Sequence, residues 1–131
     1  MVVNQETGEI ICTAHDQGQT HDFRLFKNSK VLLKKEIECF VDKGYQGIHK
    51  FHSNSQVPYK KPRNGKLNRE QKKKNRDLAR KRVIGEHIHR KLKIFKILSD
   101  CYRNRRKRFS LRFNLIAGLY NYELRHSLQQ T

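Results

Sequence analysis

Apolar side chains recur at helical spacing in the second half of the chain and predict a long helix there. Asn68 and Gln71 have the spacing of a capping box, so this helix is expected to begin after Asn68 and to reach about Ser99. One side of it carries apolar residues that would face the core. They are Ile84, Ile88, Leu92, Phe95 and Leu98.

A second apolar helix is predicted from residue 109 to residue 124. Its apolar residues recur at intervals of three and four: Phe109, Phe113, Ile116, Tyr120 and Leu124. A stripe of this kind packs against a core more often than it stacks on nucleic-acid bases. We therefore expect this helix to dock on the core.

The first half of the chain has shorter apolar runs that are typical of strands. Residues 2–4, 9–15 and 37–41 are predicted to be strands, and the third ends at Asp42. Residues 20–28 begin with a potential capping residue and predict a helix between the second and third strands. The order of strands and helices indicates an α/β fold.

Charge is concentrated in one half of the chain. The 131 residues, enough for one domain, carry 30 Lys and Arg against 12 Asp and Glu, a net charge of +18. Residues 60–112 hold 22 of those cations and only four acids. This density favours a polyanionic partner, nucleic acid before membrane, over a basic face that is merely solvated.

Other classes of protein are disfavoured by the sequence. No apolar run approaches the roughly 20 residues that span a bilayer, and the N-terminus lacks the pattern of a signal peptide. Cys12, Cys39 and Cys101 are odd in number and far apart, so they predict no disulfide framework. We expect a cytoplasmic protein with no membrane partner.

Glu86 is a single carboxylate within a very basic stretch. On a helix, Arg82, Glu86 and Lys93 fall within roughly 40° of one another, away from the apolar stripe. Glu86 could form ion pairs with Arg82 and Arg90, each four residues away. It could instead be a metal ligand beside a bound phosphate.

Two aspartates add to this question. Asp42 ends the predicted third strand before a glycine turn, where an aspartate alone is usually a turn or capping residue. Asp22 is expected to satisfy free N–H groups at a helix start. Considered together, however, Asp42 and Glu86 are the kind of carboxylates that two-metal phosphoryl transfer needs to hold Mg²⁺.

The remaining candidates are cations and histidines. Arg103, Arg105 and Arg106 lie between the two predicted helices and are expected to contact phosphates, because nothing there fixes a geometry for reading bases. A histidine metal site is a weaker idea. His87 and His89 would diverge by about 200° on a helix, and His15 and His21 suit loop and cap positions.

The motif Asp42-Lys43-Gly44-Tyr45, followed by Arg82, Glu86 and Lys93, resembles a known family. It is similar to the C-terminal half of a DDE superfamily endonuclease, the superfamily-4 type of insertion-sequence transposase. Residues 18–26 and 102–118 are also similar to that group. The resemblance therefore covers nearly the whole chain.

The resemblance implies a ribonuclease H-like catalytic domain that uses Mg²⁺ or Mn²⁺. Asp42 would be the second metal-binding aspartate and Glu86 the third acidic residue, with Asp22 a weaker candidate ligand. Arg82 and Lys93 would contact the DNA backbone near the cut, and Arg90 is expected to bind DNA beside them. Transposon ends and target DNA would be the partners.

The same resemblance implies that parts of the family pattern lie upstream of Met1. The first catalytic aspartate belongs to an earlier strand, an N-terminal DNA-binding region would precede it, and Ala79 stands where related families often carry a tyrosine. We therefore expect a truncated transposase portion with an incomplete mixed sheet, which binds DNA but does not cut it alone. Its unpaired strand edges predict self-association or pairing with the N-terminal half of the transposase.

An alternative function comes from another class of protein. The chain could be a non-catalytic, basic nucleic-acid-binding protein in which Glu86 forms a structural ion pair. In that case Glu86→Gln would leave metal affinity unchanged and would slightly strengthen DNA binding.

Overall fold

The computed structural model of the chain describes residues 1–16, 20–99 and 108–129. Its strands are β1 (Val2–Val3), β2 (Ile10–Cys12), β3 (Cys39–Phe40) and β4 (Ser55–Gln56); its helices are α1 (Asp22–Asn28), α2 (Arg69–Leu92), α3 (Lys96–Ser99) and α4 (Phe109–Gln129). Two short 3₁₀ turns, Lys43–Tyr45 and Ile48–Lys50, lie between β3 and β4. The chain divides into two compact units, residues 1–17 with 84–131 and residues 18–83.

The first unit builds its core from both ends of the chain. Strands β1 and β2 pair antiparallel through a turn in which Gly8 has a φ of +74°, a conformation that favours glycine. The buried apolar side chains are Ile10 of β2, Ile88 and Leu92 of α2, and Ile116 and Ala117 of α4. Both predicted apolar helix stripes therefore contribute to one core.

Asn121 of α4 holds β2 through its side-chain amide. The Ile10 N–H donates to Asn121 Oδ1 at 2.8 Å, and Asn121 Nδ2 donates to the Ile10 carbonyl, also at 2.8 Å. A primary amide has the same donor and acceptor as a peptide group. Asn121 therefore satisfies the backbone of Ile10 as a neighbouring strand would.

The second unit contains the parallel pair of β3 and β4, in which Cys39 lies opposite Ser55 and Phe40 opposite Gln56. Ile48 fills its interior, and His52 is also buried. The His52 ring nitrogens lie 2.9 Å from Ser55 Oγ and 3.1 Å from the Lys34 carbonyl oxygen. This histidine thereby joins β4 to the segment that precedes β3.

The start of the long helix agrees with the predicted capping box. The Gln71 N–H donates to Asn68 Oδ1 at 2.7 Å, and the Asn68 N–H donates to Gln71 Oε1 at 3.0 Å. Tyr59 adds a second anchor, because its N–H and carbonyl both hydrogen bond with the Asn75 side chain at 2.7 and 3.0 Å. These contacts fix the first turns of α2.

The end of that helix was predicted wrongly. Helix α2 ends at Leu92, not near Ser99, and the chain makes a tight turn before α3. In this turn the N–H groups of Ile94 and Phe95 donate to carbonyls three residues back, at 3.2 Å each. Phe95 is consequently exposed and lies outside the core, whereas Leu98 packs against the core.

The architecture is α/β, with small sheets and several helices. Within the described ranges the strands form two two-stranded sheets, one antiparallel and one parallel, in place of the expected mixed sheet. Strand β4 was not predicted from the sequence. No helix in the described ranges is long and apolar enough to cross a membrane.

Candidate functional site

Asp42 lies two residues after β3 and makes two contacts through one carboxylate oxygen. Oδ1 accepts a hydrogen bond from the Lys43 N–H at 2.7 Å, so the predicted capping role is confirmed. The same Oδ1 lies 3.3 Å from Arg82 Nη1 of α2. The Asp42 side chain is 61% exposed and that of Arg82 is 23% exposed, so the carboxylate faces solvent while the guanidinium is largely covered.

Two successive residues of α2 contact the end of β3. The Lys81 ammonium lies 4.6 Å from the centroid of the Phe40 ring, a cation–π distance. Arg82 contacts Asp42, two residues further along. The pair of contacts fixes this turn of α2 at the carboxyl end of β3.

Tyr45 lies within electrostatic range of both candidate aspartates of this unit. Burial, with smaller contributions from the charges of Asp22 and Asp42, raises the pKa of the Tyr45 hydroxyl. Its ring lies 5.4 Å from that of Phe23 and 6.0 Å from that of Phe26, which places α1 against the 3₁₀ turn. The charges of Asp22 and Asp42 therefore act on the same tyrosine.

The start of α1 is capped by His21, whose Nδ1 accepts the Phe23 N–H at 3.3 Å. Asp22 lies in the first turn, where a negative charge is favourable, but the capping hydrogen bond belongs to its neighbour. Gly44 lies under this histidine, because a Cβ built there would be 2.9 Å from His21 Cε1. The absence of a side chain at Gly44 therefore allows α1 to pack on the turn.

Glu86 lies on α2 and is exposed, as predicted, while Ile88 on the same helix is buried. Among the described residues Glu86 takes part in no ion pair, and Arg82, one turn earlier, pairs with Asp42 instead. The structural ion pair expected under the alternative function is therefore not seen. Glu86 remains a solvent-facing carboxylate on a basic helix.

The cations expected to bind DNA are only partly described. Arg90 is exposed on α2, and Lys93 is exposed just after the helix ends. Arg103, Arg105 and Arg106 lie outside the described residues.

A group of lysines that the sequence reasoning missed lies before and within the start of α2. Lys61, Lys66 and Lys72 line a cavity of about 260 Å³ together with Leu67. The loop folds back so that the Gly65 N–H donates to the Pro62 carbonyl at 3.4 Å. The only sequence signal for this convergence is the proline and glycine between the lysines.

The carboxylates have the chemistry that a hard divalent cation requires, because Mg²⁺ and Mn²⁺ prefer oxygen ligands. The hydrogen bond from the Lys43 N–H and the contact of Arg82 Nη1 both fall on Asp42 Oδ1. Within those same ranges no three His, Cys, Asp or Glu side chains form a cluster that could hold a metal. A cation here would need water or phosphate oxygens as additional ligands, as Mg²⁺ usually does.

Comparisons with known proteins agree with one another. The family model described as DDE superfamily endonuclease matches residues 1–121. Over 124 residues the chain is 56% identical to a probable transposase for insertion sequence element IS702 from Microchaete diplosiphon, an alignment that covers 95% of this chain and 45% of that protein. The chain thus spans about half the length of this relative. No solved structure matches.

Proposed function

The chain belongs to the DDE superfamily endonuclease family, and we propose that it is a DNA-binding part of a metal-dependent transposase. The observation that carries the proposal is the contact between Asp42 and Arg82 at 3.3 Å. These residues lie in the two separate motifs on which the family resemblance rests. Their contact, within the second unit, supports the proposal by joining Asp42 of the first motif to Arg82, the first residue of the second motif.

We propose that Asp42 and Glu86 are ligands of Mg²⁺ or Mn²⁺. Asp42 contacts the Lys43 N–H and Arg82 through Oδ1, and its side chain is 61% exposed, so the carboxylate is accessible to a cation. Glu86 is exposed and, among the described residues, not neutralised by an ion pair. Bound metal would neutralise charge on the phosphate and activate the attacking hydroxyl.

The cations would position the nucleic acid. Lys61, Lys66 and Lys72 are proposed to bind backbone phosphates at their shared cavity, and Arg90 and Lys93 are proposed to bind phosphates further along the chain. Holding the strand in one geometry is the larger part of catalysis in phosphoryl transfer. A ribonuclease H-like domain is the parent fold that we propose, and the α/β composition is compatible with it.

Metal binding tests the carboxylates. We expect Asp42→Asn and Glu86→Gln each to weaken Mn²⁺ binding about tenfold or more in calorimetric titrations, because each removes a ligand charge. Even the loss of a residue that only hydrogen bonds to a metal ligand lowers metal affinity by about tenfold. Asp77→Asn is the matched control, since Asp77 is an exposed aspartate of α2 paired with Arg80 at 3.9 Å. Unchanged Mn²⁺ affinity in Glu86→Gln, with slightly tighter DNA binding, would instead support the non-catalytic alternative.

Salt dependence tests the lysine cavity. Replacing Lys61, Lys66 and Lys72 by alanine should reduce the slope of log affinity against log salt by about 2.7, since each phosphate contact contributes about 0.9. The measurement is fluorescence anisotropy of a labelled DNA duplex over a salt series. Alanines at the exposed residues Lys34, Lys35 and Lys50 remove the same charge outside the basic half. Equal slopes for the two triple variants would contradict the proposed cavity contact.

A further inference from the structure

We propose that Arg82 couples metal binding to DNA binding by exchanging Asp42 for a DNA phosphate. The inference rests on the proposed function, because it requires a cation at Asp42 and DNA near α2. It adds a regulatory role for one side chain that the family relation does not supply. The role follows from a contact within the second unit.

Arg82 neutralises Asp42 in the structure. Its Nη1 lies 3.3 Å from Oδ1, and that oxygen also accepts the Lys43 N–H at 2.7 Å. Lys81 is engaged with the Phe40 ring at 4.6 Å and is not the counter-charge of the aspartate. The guanidinium is therefore occupied by the same carboxylate that a metal would use.

A divalent cation on Asp42 changes this balance. It would place two positive charges within a few ångströms of the guanidinium, and like charges at that distance repel one another. The ion pair would weaken, and Arg82 would be released on a helix rich in cations. A guanidinium has five donors in a fork that matches phosphate oxygens, so the released side chain is well suited to the DNA backbone.

The exchange predicts positive coupling in both directions. Without metal, Arg82 is unavailable to DNA; with metal, it adds a phosphate contact. Thermodynamic linkage requires that DNA raise the affinity for metal by the same factor by which metal raises the affinity for DNA. The metal titration and the DNA titration must therefore give the same coupling factor.

The experiment measures both affinities at constant ionic strength. Mn²⁺ is titrated into the protein with and without a short DNA duplex, and the duplex is titrated with and without Mn²⁺, each corrected for Mn²⁺ binding to the duplex alone. We expect roughly 5- to 20-fold coupling, equal in the two directions. Arg82→Gln should reduce this factor, leaving only the coupling that arises where a DNA phosphate itself ligates the metal, because glutamine carries no charge to exchange.

Arg80→Gln is the matched control. Arg80 lies two residues before Arg82 on α2, and its ion pair with Asp77 spans 3.9 Å between side chains that are 75% and 53% exposed. This variant loses the same charge but should keep the coupling. Arg82→Lys retains the charge but not the forked donor geometry of the guanidinium, so its coupling should be smaller than that of the wild-type chain. This variant replaces Arg82→Gln in the test if Arg82→Gln does not fold.

The outcomes separate this inference from the proposed function. If Mn²⁺ binding does not depend on Asp42, or if the duplex does not bind, the proposed function fails and this inference fails with it. If both bind but independently of one another, only the coupling is wrong. Coupling as strong in Arg82→Gln or Arg82→Lys as in the wild-type chain would equally overturn the role of Arg82.

Discussion

Replacing Leu92 with alanine is expected to lower the free energy of unfolding by about 3 to 4 kcal/mol. The Leu92 side chain is only 1% exposed and packs in the core formed with Ile10, Ile88 and Ile116. Truncating a buried leucine removes transfer free energy and leaves a cavity, which together cost about 2 to 5 kcal/mol. Because small domains are stable by about 5 to 15 kcal/mol, this one change should remove a large fraction of the total.

Ile94→Ala provides the control for this prediction. Ile94 lies two residues beyond Leu92, and its side chain is 80% exposed. Its loss should change the free energy of unfolding by no more than about 0.5 kcal/mol. Urea unfolding followed by circular dichroism measures both variants. Equal destabilisation by Leu92→Ala and Ile94→Ala would show that the turn after α2, and not the burial of Leu92, determines the stability of this region.

Asn121→Ala is expected to destabilise the chain by about 2 to 3 kcal/mol. The substitution removes both hydrogen bonds to Ile10 and leaves the N–H and carbonyl of this buried strand residue without their partner. An unsatisfied buried polar group costs about 1 to 3 kcal/mol, more than the net value of the bond itself. The same urea titrations measure the loss.

Asn121→Asp separates the two hydrogen bonds. The aspartate keeps an acceptor for the Ile10 N–H but directs a carboxylate at the Ile10 carbonyl, so we expect it to be at least as destabilising as alanine above pH 5. Glu123→Ala, at an exposed position two residues along α4, is the control. If Asn121→Ala behaves like Glu123→Ala, water replaces the amide at β2 without cost.

Helices α1 and α4 and the start of α2 could be predicted from the sequence because their signals are local. The apolar periodicity of α4 and the capping box of Asn68 and Gln71 depend on residues that are neighbours along the chain. Strand β4 gave no such signal, since Ser55–Gln56 is polar. It forms because the Cys39 N–H donates to the Asn54 carbonyl at 3.0 Å and the Val41 N–H donates to the Gln56 carbonyl at 3.1 Å. Backbone pairing of this kind needs no apolar side chain.

The candidate site also combines features that the sequence predicts with contacts that it does not predict. The sequence identified Asp42, Glu86 and Arg82 as candidates, and it offered Arg82 as a partner for Glu86 because residues four apart are neighbours on a helix. In the structure Arg82 pairs with Asp42, a residue distant in sequence. The convergence of the three cavity lysines depends on the fold of the loop between them, which helical spacing does not describe either. Helical spacing contains no information about which remote residue a side chain will contact.

The division of the chain into two units has a consequence for the order of folding. The second unit is one continuous segment, whereas the first joins residues 1–17 to residues 84–131, with hydrogen bonds between Ile10 and Asn121 that span 111 positions. Distant contacts form late because the intervening loop must close first. On the ribosome, β1 and β2 must wait for the segment around Asn121 to emerge, so their apolar side chains remain uncovered until more than a hundred further residues have been made.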